Sequence, residues 1–318
     1  MQDSIKILTP PANPTYRLID SGNGQRCEQF GTNIIIRPDS TCLWQPQQAP
    51  SVWQQAAAIY RKVNVQKPAG KPAKPGSKSS NNATEPTAKW FVNSKFKEPW
   101  VFSYHLPQGT VHRKRSISCQ LRLSPSKNIG IFPEQQANWA WMVERIDSVK
   151  SSPNILNLFG YSGAATLCAA AAGAQVCHVD ASSAAITAAR QNQILSHLGE
   201  APIRWIADDC TTFVKREIKR GVVYDAIIMD PPAFGRDPKG KPFAFEKHVC
   251  DLLELTTKVL RPDPLFFIFN GYALGHSASV LKNMLIDFFP DQDIEFGELQ
   301  LKQEGSNRLL PCSLFARF

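Results

Sequence analysis

Four acidic residues recur in the C-terminal half of the chain, each closing a short apolar run. Asp180 follows QVCHV, Asp208 and Asp209 follow IRWIA, and Asp230 follows AIIM. A carboxylate beside an apolar run is costly unless solvent or a ligand satisfies it, so the series points to a cleft. The run before them, NILNL, ends in FGYSG, Phe159 to Gly163, whose glycines let backbone approach a ligand before a helix begins. Alone this pattern is weak, because a tight strand-to-helix turn needs the same glycines. Asp180 lies 21 residues beyond Phe159, where a carboxylate can accept both hydroxyls of a ribose. Asp230 opens DPPAFG. Pro231 and Pro232 remove backbone donors and stiffen the loop, leaving the carboxylate and nearby carbonyls as acceptors suited to a planar nitrogenous group, with Phe234 available to stack. A rigid turn with a capping Asp is the plainer reading of the same residues.

These residues need a scaffold that brings strand ends together. Helical periodicity through EQQANWAWMVERI leads to Pro153, after which strands NILNLF, QVCHVD, IRWIADD, YDAIIMD and LFFIFN alternate with helices. The helices are predicted over 164–172, 182–197, 211–220, 246–260 and 278–289, and two further strands over 294–301 and 313–318. Alternating βα units with near-continuous apolar strands predict an α/β, doubly wound, mostly parallel seven-stranded sheet covered on both faces. Ligands then gather at the C-terminal ends of its strands.

Residues 1–127 read as a separate, small β-rich N-terminal module, and 128–318 as the α/β domain. Within the module, Lys67 to Pro86 is rich in Pro, Gly, Ser, Asn and Lys and reads as a flexible linker. The module carries 18 Lys and Arg against 6 Asp and Glu, whereas 128–318 carries 18 against 21. A polyanionic partner is therefore expected for the first part, with Arg113, Lys114 and Arg115 in HRKRS beside Trp100, Phe102 and Tyr104 as candidate RNA contacts. Core aromatics beside a solvated loop explain that cluster equally well. The eight cysteines form neither a CxxC pair nor a Cys/His cluster at zinc spacing, so no metal site is expected. The beginning of the chain has no apolar signal region, and the small-apolar stretch Ala164 to Gly173 is too short to span a bilayer. The expectation is a cytoplasmic protein.

Taken in order, NILNLFGYSG, HVD, ADD and MDPPAFG resemble the successive motifs of class I S-adenosylmethionine (SAM)-dependent methyltransferases. With YRLIDSGNGQRCEQFG, RPDSTCLW and GIFPEQQANW upstream, nearly the whole chain outside the linker resembles the bacterial group that includes large-subunit ribosomal RNA cytosine-5 methyltransferases and their relatives. The resemblance implies a Rossmann-like fold, SAM as cofactor and ribosomal RNA as substrate. It implies that Phe159, Gly160, Tyr161, Ser162 and Gly163 border the methionine part of SAM, that Asp180 holds the ribose, and that Asp209, in preference to Asp208, meets the adenine amine. Gln135 and Asn138 would close over the cofactor, although polar residues at a helix start explain them as well. Asp230 with Pro231 and Pro232 would orient the acceptor, Phe234 would stack on it, and Asn270 or Tyr272 would border the transfer site.

Two departures from the group matter. Cytosine-5 chemistry needs a thiolate that adds to the base, yet Ala233 and Asn270-Gly271-Tyr272 stand where such enzymes carry cysteine. No RNA-binding PUA module is recognisable at the N-terminus either. Direct transfer without a cysteine nucleophile is thus expected, against the alternatives of an unrecognised cysteine or a substrate other than RNA. Other classes are an α/β-hydrolase using Ser162 in GYSGA with His248 or His276, a nicotinamide dehydrogenase lacking GxGxxG, and a non-catalytic RNA-binding protein.

Overall fold

The computed structural model describes residues 4–64, 86–107, 115–236, 242–272 and 275–318. Its first strand is β1 (Lys6–Leu8). There follow β2 (Tyr16–Gly22), β3 (Gln25–Phe30), β4 (Asn33–Pro38), a short helix α1 (Pro50–Trp53), β5 (Ala58–Asn64), β6 (Pro86–Val92), β7 (Val101–His105) and β8 (Ser116–Gln120). A 3-10 turn, Pro133–Gln135, leads into α2 (Gln136–Ser148). Strands and helices then alternate through β9 (Asn154–Leu158), α3 (Ala164–Ala171), β10 (Gln175–Asp180), α4 (Ser183–Leu195), β11 (Ile203–Ala207), α5 (Cys210–Arg220) and β12 (Ala226–Met229). A hairpin of β13 (Phe234–Arg236) and β14 (Pro242–Ala244) comes next, then α6 (Phe245–Thr257), β15 (Phe266–Tyr272), α7 (Ala278–Phe288), β16 (Glu295–Lys302) and β17 (Leu309–Arg317).

The main sheet runs β1-β16-β17-β15-β12-β9-β10-β11, parallel from β15 to β11 and antiparallel where β17 joins β15 and β16. Seven of its strands are those expected between residues 154 and 317. The eighth, β1, adds in parallel to β16 at the edge, so part of the predicted N-terminal module belongs to this sheet. The centre is apolar on both faces: every residue of β12 is buried, as are Phe266 to Gly271 of β15. Ile155, Ile228 and Ile268 pack with Leu167 of α3 and Met142 and Val143 of α2 on one side, while Leu156, Leu158 and Phe269 pack with Phe213, Leu252 and Leu281 of α5, α6 and α7 on the other. Each such buried side chain contributes roughly 1.5–3 kcal/mol.

Helix ends follow the local sequence. Ser182 accepts the Ala185 N–H at 3.2 Å to start α4, Asp209 accepts the Thr212 N–H at 2.8 Å to start α5, and Gly221 ends α5 in the left-handed region.

β2 to β6 form a five-stranded sheet and β7 with β8 a two-stranded one. The expected boundary at residue 127 does not divide the core. Phe30, Trp100, Phe102 and Ile117 belong to the same apolar cluster as Met142, Ile155 and Leu167. Side chains of α4 and of Ser196 just past its end complete the β8 edge: Asn192 Oδ1 accepts the Gln120 N–H at 2.8 Å and Ser196 Oγ accepts the Ser118 N–H at 2.9 Å. The predicted linker lies outside the described residues except for Pro86, the first residue of β6.

Candidate active site

Strand order reverses beside β9, since β10 and β11 lie to one side of it and β12 and β15 to the other. A crevice opens at such a reversal. Register then fixes what stands there: Leu158 pairs with Val179 and Met229, Met229 with Phe269, and Asp180 with Ala207. One residue further along, Asn270, Asp230, Phe159 and Asp180 stand at adjoining strand ends, with Asp208 beyond.

Phe159 and Tyr161 take positive φ values of 58° and 49°, and Gly163 one of 86°. A non-glycine residue held there stores on the order of 1–2 kcal/mol of strain, which the surrounding contacts must offset. Gly160 donates to the Val179 carbonyl at 3.1 Å, and Asp180 takes the Tyr161 N–H on Oδ2 and the Ser182 N–H on Oδ1, both at 2.8 Å. Burial nevertheless holds the Asp180 carboxyl above its ordinary range, the two backbone bonds only partly offsetting it. Beneath Gly160 lies the ring of His178; a Cβ on Gly160 would fall 2.5 and 2.8 Å from its two nitrogens. Asn157 donates to Thr166 Oγ1 at 2.8 Å, which leaves that hydroxyl to donate to His178 Nδ1 at 2.8 Å. Burial pushes His178 down to about 3, so the imidazole is neutral.

Gln135, Asn138, Phe159, Gly160, Tyr161, Ser162, Asp230 and Asn270 all line one cleft, open to solvent. Asn138 donates to Gln135 Oε1 at 3.0 Å and Asn270 Oδ1 at 2.9 Å, and its own carbonyl oxygen accepts from Arg317 at 2.8 Å. Glu295 holds Arg317 through Nε at 3.1 Å and also takes the Lys6 ammonium at 2.8 Å, which ties β1 to the floor of the cleft. Gln135 Nε2 donates to the Tyr272 hydroxyl at 3.2 Å, and that hydroxyl donates to Glu134 Oε1 at 3.0 Å. Asp230 Oδ1 is buried with no hydrogen-bond partner among the described residues. Burial first and the negative Glu134 second push its carboxyl up to about 7.

The other expected residues stand outside the cleft lining. Gly163 begins α3 and Asp180 braces the loop; Asp208 pairs with Arg216, and Asp209 Oδ1 caps α5, taking the Thr212 hydroxyl at 2.7 Å as well. Pro231 is buried, Pro232 half-buried, and Phe234 on β13 is 84% exposed. Tyr272 stands one hydrogen bond behind Gln135, its ring 5.0 Å from that of Phe132. Arg113 and Lys114 lie outside the described residues. Arg115 is not a free cation: its two terminal nitrogens engage Asp147 of α2, at 2.7 and 2.6 Å. Among the described residues no imidazole pairs with Ser162; His248 Nδ1 meets the Ala244 backbone at 2.9 Å and His276 meets Glu246 at 3.3 Å.

Sequence reasoning missed Glu134, Phe132 and the Asn157-Thr166-His178 chain. Glu134 sits next to Gln135 in FPEQQANW, but an acid in a first helical turn ordinarily signals only a favourable dipole.

No protein-family profile matches this chain. Ribosomal RNA large subunit methyltransferase I of Salmonella arizonae is 29% identical over 159 residues, 49% of this chain and 39% of that protein. Ribosomal RNA large subunit methyltransferase K/L of a Shewanella species is 28% identical over 148 residues, 45% of this chain and 20% of that protein. The chain thus spans two fifths or less of these curated relatives. A solved SAM-dependent methyltransferase from Agrobacterium tumefaciens is 31% identical, covers 98% of this chain and 93% of its own, and superposes with a TM-score of 0.81. A strand-end crevice with its glycine loop, and a relative matched along nearly its whole length, carry one conclusion: this chain belongs to the SAM-dependent methyltransferases, enzymes with SAM as cofactor.

Proposed function

We propose that this enzyme methylates RNA, ribosomal RNA in the first instance, by direct transfer to a nitrogen or hydroxyl oxygen held by Asp230. The observation that carries the chemistry is Asp230 Oδ1, a buried acceptor in the cleft lining with no donor among the described residues, beside two prolines that supply none. Such an atom calls for an incoming N–H or O–H. No cysteine lines the cleft among the described residues. The names of the curated relatives support the RNA, as does the basic first part of the chain.

The residues present fit SAM. Left-handed backbone at Phe159, Tyr161 and Gly163, and a Gly160 whose Cβ would overlap His178, form a close-approach loop over the strand ends. In this reading that loop and the Gln135-Asn138 pair border the methionine part, Asp180 takes the ribose and Asp209 the adenine amine. When bound, the cofactor supplies an electrophilic methyl group. Asp230 orients the acceptor and receives its proton, Asn270 borders the transfer site with Tyr272 behind Gln135, and Phe234, exposed on β13, is free to stack on the base. Rate then comes mainly from position and from exclusion of water.

The test is methylation of ribosomal RNA from a strain lacking the gene, with nucleosides read by mass spectrometry. A new methyl mark on a nitrogen or oxygen is expected; a mark on cytosine C5, or none on any RNA, would end this reading.

A further inference from the structure

Glu134 stands out as a buried acid that no part of the reaction above uses. It is 2% exposed, its Oε1 accepts the Tyr272 hydroxyl at 3.0 Å, and its Oε2 has no hydrogen-bond partner among the described residues. Burying a carboxylate with an open oxygen is expensive, and such a group is seldom kept where it serves only packing. Two features place it in the site. Its neighbour Gln135 lines the cleft and shares the Tyr272 hydroxyl with it, and the Tyr272 ring contacts Phe132 on the cleft wall. Both open carboxylate oxygens of this region, Glu134 Oε2 and Asp230 Oδ1, are shut off from solvent.

We propose that Glu134 is a positioning residue for methyl transfer: anchored by the Tyr272 hydroxyl behind Gln135, it keeps Asp230, by its negative charge, ready to take the proton that leaves the methylated atom. The proposal rests on Asp230 as the acceptor-facing carboxylate. In the step, the acceptor lone pair forms the new bond to the methyl carbon while the sulfur–methyl bond breaks and its electron pair stays on sulfur. The acceptor, now cationic, passes one proton to Asp230 Oδ1. A second negative charge nearby strengthens Asp230 as a base, because two carboxylates in one poorly hydrated region resist being ionised together. Other ionisable groups face this pair. Tyr272 comes from β15, Arg26 and Glu28 from β3, Tyr16 from β2 and Cys312 from β17, with Arg37 of β4 held on Glu28 at 2.7 Å. Arg26 is the described cation that counters Glu134, and it does not remove the like-charge effect on Asp230.

Carbon-13 NMR of the full-length protein with labelled Asp and Glu carboxyls, without RNA, reads this directly. Asp230 should titrate near about 7 in the wild type. In Glu134→Gln the midpoint should fall by about one pH unit, and in Glu134→Asp it should stay close to wild type. SAM affinity by calorimetry should hold in both. An unmoved Asp230 midpoint in Glu134→Gln, or a wild-type midpoint near about 4, overturns the proposal. If the Gln variant does not fold, the wild-type curves decide: Asp230 and Glu134 should titrate in coupled steps, and independent single curves overturn it. Asp230→Asn separates the two levels. Methyl incorporation falling on the order of a hundredfold keeps Asp230 in its role even if Glu134 fails, and full incorporation removes Asp230 itself.

Discussion

Replacing Asp180 by Ala takes away more than a ribose contact. Its Oδ2 holds the Tyr161 N–H and its Oδ1 the Ser182 N–H, so one carboxylate fixes both flanks of the cofactor loop. A hydrogen bond to a charged group is worth roughly 1.5–3 kcal/mol, and the lower figure applies to a half-exposed site. Removing ribose hydrogen bonds of that size weakens SAM binding about ten- to a hundredfold. Removing the two backbone hydrogen bonds adds a melting-temperature decrease, because Tyr161 at φ 49° no longer has the acceptor that holds it there. Asp180→Asn refines the test. Its single carbonyl oxygen can serve one of the two backbone donors, and its amide then faces the other, so affinity should again fall about tenfold or more with the side-chain shape preserved. Calorimetric titration with SAM, run beside thermal denaturation, separates the effects. A lower melting temperature with unchanged SAM affinity in both variants would make Asp180 a loop brace alone and refute its role at the ribose.

Three further outcomes follow from the same geometry. Gly160→Ala should cost about 1–3 kcal/mol and weaken SAM binding, since the new methyl meets a His178 ring fixed by Thr166; a wild-type unfolding midpoint would show that the ring can yield. RNA carrying 5-fluorocytosine should not be trapped covalently, and Cys250→Ala and Cys312→Ala should keep full activity, because Cys250 is exposed on α6 and burial raises the Cys312 thiol well above its usual range; a trapped complex that disappears in either variant would restore a cysteine adduct. Neutralising Arg113 and Lys114 should flatten the salt dependence of RNA binding by roughly 0.7–0.9 in log–log slope for each phosphate no longer neutralised, leaving Arg115 in place because of its Asp147 pair; an unchanged slope puts the RNA elsewhere.

The strands around the site were legible because each is a near-continuous apolar run, and their order of acidic endings already implied that Phe159, Asp180 and Asp230 would meet. Register, which no single run carries, sets Asn270, expected at the transfer site from the resemblance alone, at the strand end beside Asp230. β1 was not legible: KIL is three residues long, exposed at Lys6 and Ile7, and owes its place to β16 and the Lys6 pair with Glu295. The β13–β14 hairpin was hidden for a similar reason, since FGR and PFA carry too little alternation to signal strands. Charge counting located a basic first half but could not tell a paired guanidinium from a solvated one. Arg115 shows the difference, as does Glu134, whose meaning comes from a tyrosine 138 residues away.

That distinction changes what the basic N-terminal strands can do. Arg37 is buried on Glu28 at 2.7 Å, Arg26 approaches the same carboxylate at 3.3 Å, and Arg17 pairs with Glu304 at 2.9 Å. The first two serve the fold, in the charged seam behind Glu134; the third makes an exposed surface pair that joins β2 to the turn after β16 and weakens with salt. Charge able to attract a polyanion must come from exposed side chains instead, among them Arg61 and Lys62 on β5, Lys89 on β6, and Lys95 and Lys97 just after it. Arg61 and Lys89 oppose each other in register and both lie over the Phe91 ring, at 4.1 and 5.3 Å. A cation already resting on an aromatic face keeps its charge toward solvent while its stem is held, so meeting a phosphate costs less side-chain entropy. The same five strands thus carry two separate populations of basic residues, one spent within the fold and one presented to solvent, and attraction of a polyanion by the second should weaken as salt rises.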